Sequence, residues 1–382
     1  MDKPAYPVID ADGHVSEPQD LWDRCLDAAT AVRAYAALRM VDHPGGGVSA
    51  CLEGELVGEG NFQGGGGFGK TAADMAHAHW NPEDLNPGGF DPHQRIKDMD
   101  EMGIDAAVLY PSWCLLANGV RDPELAAAMC RGFNRYLAEF CRPYPKRLFG
   151  AAMVPMQSAA FMVDVAADAA PSGHKAVAVR PNMVRGRALQ QPYYERFWAA
   201  VEDLGLAVAL HPAATNEVQG VFDLIMQPDP QVSHTLPDAL ALPMDVMITL
   251  SWLMVGGVLD RHPSVRIGML EASGSWVTML LERLDKRVRY GGGPGGGRLP
   301  EIKTMPSEIF ARQCFVAFES EEAAMPRLWD VVGGSMIWGS DYSHFDGEPA
   351  SEAIKNIASL PEEGQRQIMG ANAARLYDLP ME

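Results

Sequence analysis

Residues 175–212 read KAVAVRPNMVRGRALQQPYYERFWAAVEDLGLAVALHP, and this stretch decides the fold class. Its opening, KAVAVR over 175–180, is a short apolar run closed by Pro181-Asn182. Residues 193–204 carry a helical pattern stopped by Gly205, and 206–210 form a second apolar run ending at His211-Pro212. Strand, helix and strand in that order make a parallel unit with a crossover helix. Neither run alternates apolar with polar residues, as expected of strands buried on both faces.

The same unit recurs in both directions. Further strands are expected at 6–9, 105–110, 148–154, 265–270, 314–318 and 335–338. Helices are expected between them at 18–39, 92–102, 122–142, 158–170, 238–259, 273–290, 306–312 and 321–332, and two more at 349–359 and 362–376. Asp122 before Pro123 is a good N-terminal cap, and Gly103 is a good helix stop. Eight strands alternating with helices predict a (β/α)8 barrel in the α/β class. No Gly-x-Gly-x-x-Gly follows the first strand, which counts against an open dinucleotide-binding sheet. The chain, residues 1–382, reads as one domain. Its irregular part is a Gly-rich insertion at about 40–92, after the first strand and helix, with no periodic element of its own. A loop of that length inside a compact domain is usually functional, and a lid over the site is the expectation. His77 and His79 within it read as polar loop residues, because no strand fixes them.

Hydrophobic residues make up 47% of the chain, and the formal net charge is −19. That charge argues against nucleic acid or an anionic membrane as partner. It leaves an anionic small molecule open, since a metal and a few arginines invert the local field. Cys25, Cys51, Cys114, Cys130, Cys141 and Cys314 are scattered without a Cys-x-x-Cys pair, as in the reduced thiols of a cytoplasmic protein. No signal peptide or membrane span is expected.

In a barrel of this kind chemistry collects where the strands end at their C-terminal side. The first strand is expected to end in Asp12 and His14, whose i, i+2 spacing presents a carboxylate and an imidazole side by side. Such a pair suits zinc or another first-row divalent ion. The fourth strand ends in Arg180 and Asn182, the fifth in His211, the sixth in Glu271, the seventh in Glu319 and the eighth in Asp341, with His344 three residues on. The opposite rim offers nothing comparable. Each residue has an ordinary structural account; their concentration on one rim points to a site.

The motifs VIDADGHVSEP, FDPHQRIKDMDEMGIDAAVLYPS, AVAVRPN, LHPAA, GGVLDRHPSVRIGMLEASGSW, WGSDYSH and ANAARLY together resemble the amidohydrolase superfamily. Within it, the chain is similar to the branch of metal-dependent aromatic-acid decarboxylases and related barrel hydrolases. The resemblance implies that Asp12, His14, His211 and Asp341 hold one divalent metal ion, zinc first and manganese second. Binuclear members carry a bridging Lys at the end of the fourth strand; here that place is Arg180, and Lys175 opens the strand instead. The sixth strand of the family often ends in His, where this chain has Glu271. The resemblance further implies non-oxidative decarboxylation of a small, aromatic carboxylate. Asp341 would be the acid; from their places on the rim, Glu271 and His344 are further catalytic candidates, and Arg180 with Asn182 the candidate substrate-binding pair. Metal-dependent hydrolysis of a lactone, amide or C–C bond is the alternative. A homodimer or larger homo-oligomer is expected.

Overall fold

The computed structural model describes residues 4–43, 47–57, 65–225, 236–291 and 302–380. Eight parallel strands form one sheet: β1 (Ile9–Val15), β5 (Ala106–Pro111), β6 (Leu148–Met153), β7 (Ala176–Val179), β8 (Ala207–Leu210), β9 (Ile267–Met269), β10 (Cys314–Phe318) and β11 (Met336–Trp338). Each pairs with the next in sequence, so the wall is built without a crossing connection. It closes just beyond the last strand, where Asp341 N donates to Asp12 O (2.8 Å) and His14 N donates to Tyr342 O. This is the (β/α)8 barrel expected. The strands are buried along their whole length, which is why they read as unbroken apolar runs.

Four local expectations are corrected. The first strand does not end before the Asp12/His14 pair; it contains it, because a bulge between Asp10 and Gly13 lets pairing with β5 resume at Gly13–Leu109. Only glycine fits at 13, since a Cβ there would lie 2.3 Å from Arg95 Nη2 and 2.7 Å from Asp10 Oδ2. The helix expected over 18–39 breaks into Leu21–Cys25 and Ala28–Ala37, because the Asp27 carboxylate caps a new helix start at Ala29 and Thr30. The span 321–332 is a 3₁₀ turn at Met325–Arg327, with Pro326 in its first positions, and a short helix at Trp329–Val332, separated at Leu328.

The fourth correction concerns the insertion. It carries structure of its own: β2 (Leu38–Asp42), β3 (Val48–Leu52) and β4 (Glu55–Val57) form an antiparallel sheet. β3 and β4 are joined by a tight two-residue turn at Glu53-Gly54, and the strands are too short to set up a period. Gly45, Gly46, Gly64 and the run 292–297 lie outside the described residues. The small sheet packs on the 3₁₀ segment Trp113–Gly119 that follows β5, at the C-terminal end of the barrel. Residues 65–90 then lie against the ends of β1 and β11: Ser16 N donates to Gly89 O (2.9 Å), Phe68 N to Ser343 O (3.0 Å) and Trp80 Nε1 to Glu17 O (2.6 Å).

One helix, over Asp238–Val255, has the length and apolar composition to cross a membrane. Val246, Leu250, Leu253 and Met254 on it are buried, while Leu240, Met244, Ile248 and Trp252 form an exposed stripe at i, i+4 spacing.

Candidate metal centre

Four acceptor atoms converge where β1, β8 and β11 end. His14 Nε2 lies 3.2 Å from His211 Nε2, 3.3 Å from Asp341 Oδ1 and 3.6 Å from Asp12 Oδ1. His211 Nε2 lies 3.4 Å from Asp12 Oδ1. The tautomers follow from the other ring nitrogens. His14 Nδ1 sits 2.9 Å from Pro111 O, and His211 Nδ1 2.9 Å from Pro212 O. A carbonyl only accepts, so each Nδ1 carries the hydrogen and each neutral ring turns its Nε2 lone pair inward. Asp12 Oδ1 and Asp341 Oδ1 are buried with no hydrogen-bond donor. Lone pairs and carboxylate oxygens do not gather in a dry site without a cation to hold them. Two imidazoles and two carboxylates fit a divalent first-row ion in chemistry and number.

The electrostatics support a neutral His14 and leave His211 dependent on what neutralises the carboxylates beside it. Burial, with His344 and His211 beside it, holds the His14 imidazole well below its usual range. Burial opposes charge on His211 as well, but Asp12 and Glu271 outweigh it and raise that ring above its usual range. Burial and the neighbouring carboxylates of Asp346 and Asp12 raise Asp341 well above the ordinary carboxylate range. Glu271 is raised likewise, first by burial and then by Asp341. Its Oε2 lies 3.5 Å from His211 Nδ1, and its side chain keeps 27% of its surface open to solvent.

His344 joins this group. Its ring stacks on that of His14, with centroids 3.9 Å apart and planes at 26°. Its Nδ1 is 2.9 Å from Asp341 Oδ1 and its Nε2 3.1 Å from Ser112 Oγ. The Ser112 hydroxyl donates to Val15 O (2.9 Å), so it accepts from a hydrogen on His344 Nε2. Nδ1 and Asp341 Oδ1 would then oppose lone pair to lone pair unless one of them carries a proton.

Arg180 is wholly buried beside the metal group. Register pairs Val179 with Leu210, so Arg180 and His211 follow on the same face of neighbouring strands. Its Nη1 lies 3.0 Å from Glu217 Oε1, its Nε donates to Asn182 Oδ1 (3.3 Å), and its Nη2 donates to Ala213 O (3.2 Å). Asn182 Nδ2 donates in turn to Asp245 Oδ2 (2.8 Å). Elsewhere, Glu319 accepts from Ser273 Oγ (3.0 Å), and Lys175 Nζ reaches Asp378 O at the opposite end of the barrel (3.3 Å). His79 pairs with exposed Asp42 (3.0 Å), and neither it nor His77 belongs to a metal-ligating group among the described residues.

Three supporting residues escaped the sequence reading. Asp10 accepts from Ser340 N (2.8 Å), Ser340 Oγ (2.6 Å) and Asp12 N (3.1 Å), tying the end of β11 to β1. Arg95, also buried, donates to His14 O (2.7 Å) with its Nη2 3.8 Å from Asp10 Oδ2, and lies over the Tyr342 ring. Glu17 accepts from the backbone of Ser112 (2.9 Å), Trp113 (3.2 Å) and Cys114 (3.2 Å), so it places the turn that carries Ser112. Asp10 alone had a visible signal, standing two residues before Asp12 in the same motif.

A (β/α)8 barrel whose C-terminal mouth gathers Asp12 and His211 on one side of His14, and Asp341, His344 and Glu271 on the other, defines a candidate metal centre. The amidohydrolase family profile matches residues 75–379, and the chain belongs to that family. Asp12 and His14 precede the matched span, so it is the fold that joins them to the rest. The chain is 21% identical over 304 residues to 2-amino-3-carboxymuconate-6-semialdehyde decarboxylase of Dictyostelium discoideum, covering 78% of this chain and 79% of that one. It is 25% identical over 304 residues to gamma-resorcylate decarboxylase of Rhodococcus jostii (strain RHA1), covering 75% and 87%. Among solved structures, an amidohydrolase from Mycobacterium avium subsp. paratuberculosis K-10 superposes with a TM-score of 0.77 at 23% identity, covering 98% and 100%. The 5-carboxyvanillate decarboxylase of Novosphingobium aromaticivorans DSM 12444, complexed with manganese and 4-hydroxy-3-methoxy-5-nitrobenzoic acid, superposes with a TM-score of 0.68 at 18% identity, covering 98% and 97%.

Proposed function

We propose that this protein is a metal-dependent, non-oxidative decarboxylase of a small aromatic carboxylic acid. The observation that carries the reading is the gathering of His211 Nε2, Asp341 Oδ1 and Asp12 Oδ1 around His14 Nε2, at 3.2, 3.3 and 3.6 Å, at the barrel mouth. The decarboxylases among its relatives favour loss of CO2 over hydrolysis. Those four residues would hold one divalent ion, which supplies Lewis-acid charge to an anionic substrate. Manganese in the 5-carboxyvanillate decarboxylase and the zinc-compatible donor set make these the two ions to compare.

The chain's own residues supply the rest. Asp341 and His344 hold a proton between Oδ1 and Nδ1, and Ser112 fixes the far side of the His344 ring. The proton passes from Asp341 to the ring carbon that bears the carboxylate. The bond from that carbon to the carboxylate then breaks, its electron pair returns to the ring, and CO2 leaves. Glu271, raised by burial above the ordinary carboxylate range, stands with its Oε2 3.5 Å from His211 Nδ1, where its protonated form would orient a phenolic hydroxyl by donating to it. Arg180 and Asn182 stand on the substrate carboxylate's side of the mouth, where the planar guanidinium fork suits two oxygens. The insertion, laid against residues 16 and 342–345, closes over the substrate as a lid. Assembly as a homodimer or larger homo-oligomer is supported by the exposed stripe Leu240, Met244, Ile248 and Trp252. Six free cysteines suit a reducing, cytoplasmic setting.

The test is incubation of metal-loaded protein with a panel of hydroxybenzoates and, separately, lactones. CO2 released from a hydroxybenzoate supports the proposal. Acid released from a lactone without CO2 from any benzoate refutes it in favour of hydrolysis.

A further inference from the structure

Arg180 faces the mouth, yet its charge is already answered from within the chain. The side chains of Arg180 and Glu217 are both fully buried, with Nη1 and Oε1 3.0 Å apart. Neither Glu217 oxygen has a hydrogen-bond donor aligned on it, and Arg180 Nη1 has no aligned acceptor. The pair is therefore held by charge and packing, without the fork-to-fork hydrogen bonds that make an arginine–carboxylate contact strong. A second carboxylate, Asp245, sits one amide away through Asn182. One guanidinium thus already answers Glu217 directly and Asp245 through Asn182, so a substrate carboxylate arriving at Arg180 meets a fork that is taken.

Glu217 is also placed to move. It lies in the irregular segment after β8, between exposed Asn216 and buried Val218, with exposed Gln219 beyond. Its Cβ and the Leu52 side chain of the insertion close over the same spot on Gly119, where an added Cβ would lie 2.9 and 2.7 Å from them. The insertion, the turn after β5 and the segment after β8 thus meet at Gly119. The segment's far end is anchored separately, by Val221 N donating to Asp245 Oδ1 (2.9 Å) and Met183 N to Gln219 O (3.2 Å).

We propose that Glu217 is a displaceable internal carboxylate: it occupies the Arg180 fork, the substrate's carboxylate takes its place, and Glu217 swings out to solvent. Removing a partner from a buried ion pair is strongly unfavourable, but exchanging one carboxylate for another leaves Arg180 paired throughout. The exchange gives the mouth a selectivity filter, because an uncharged aromatic has nothing to offer Arg180 in Glu217's stead. This rests on the reading that Arg180 receives the substrate carboxylate.

The probe is benzoate, with phenol as the uncharged control, on the full chain. In the unaltered protein, saturating benzoate should raise hydrogen–deuterium exchange across residues 213–219 at least threefold, and phenol should not. Ordinary ligand protection would have the opposite sign, so a merely structural Glu217 does not produce this signal. Calorimetry should show Glu217→Gln binding benzoate at least tenfold more tightly, with phenol unchanged and the gain lost in the Arg180→Gln/Glu217→Gln double variant. Equal benzoate affinity in the unaltered and Glu217→Gln proteins, or lowered exchange over 213–219, overturns the proposal. If Glu217→Gln does not fold, the exchange measurement on the unaltered protein decides alone. CO2 release from a hydroxybenzoate together with equal benzoate affinities would remove the displaceable carboxylate and leave the decarboxylase standing. Tighter benzoate binding by Glu217→Gln with no CO2 from any substrate would do the reverse.

Discussion

Replacing Asp10 by Asn removes one charge from a wholly buried site and keeps its shape. The remaining Oδ1 still accepts from Ser340 N and Asp12 N. The new amide nitrogen faces Ser340 Oγ, whose hydroxyl can reverse, and Arg95 Nη2 at 3.8 Å, which cannot. At that separation and an effective dielectric constant of about 20, the lost attraction is about 4 kcal/mol. Burial raises the Asp10 carboxyl above its ordinary range, so part of that attraction already offset the desolvation of its charge. The net loss of stability is then about 2 kcal/mol, below the roughly 3–5 kcal/mol of a fully stranded buried charge, because Arg95 keeps His14 O and the Tyr342 ring. Because Asp10 ties Asp12 to Ser340, the residue before Asp341, loosening it spreads two metal ligands. Metal affinity should fall by roughly 10–100-fold, as for other residues that orient ligands. Urea unfolding gives the first quantity, and competition with a chelator for manganese or zinc gives the second. An Asp10→Asn protein within about 0.5 kcal/mol of the parent, with its metal affinity unchanged, would refute the view that Asp10 holds the two strand ends together.

Three further outcomes are expected. His211→Ala should purify without metal while keeping the parent's far-ultraviolet circular dichroism, since the ring contributes a ligand and little packing; full metal occupancy by elemental analysis would show the site to be misplaced. His344→Asn should retain metal but lose more than tenfold in kcat/KM, about 1.4 kcal/mol; unchanged kinetics would leave His344 a structural partner of His14. Burial raises the Glu17 carboxyl to about 7 despite its three backbone donors. The folded state therefore binds this proton more tightly than the unfolded chain, so stability from Glu17 is present below about pH 4.5, declines as pH rises to about 7 and is level above. The total is about 3 kcal/mol. Urea unfolding of Glu17→Gln against the parent across that window should show the difference narrowing at the acid end, and a pH-independent difference would dismiss the shift.

The barrel was legible because buried parallel strands are short apolar runs and their helices carry caps and glycine stops, all local signals. The rim residues were legible for the same reason: Asp12, His14, His211, Glu271 and Asp341 each stand at or near the end of a recognisable run. The small antiparallel sheet at Leu38–Asp42, Val48–Leu52 and Glu55–Val57 was not, since its strands are stabilised by one another and by Trp113–Gly119. The sequence by itself determined the alternation, the rim and the candidate ligands. Only the tertiary structure decided that His211 Nε2 and two orphaned carboxylate oxygens gather around His14 Nε2, that His344 lies flat on His14, and that Arg180 already has Glu217 in its fork. These are contacts between residues tens to hundreds of positions apart. They depend on barrel closure, strand register and tautomer-setting backbone carbonyls, none of which leaves a period or a spacing in the chain.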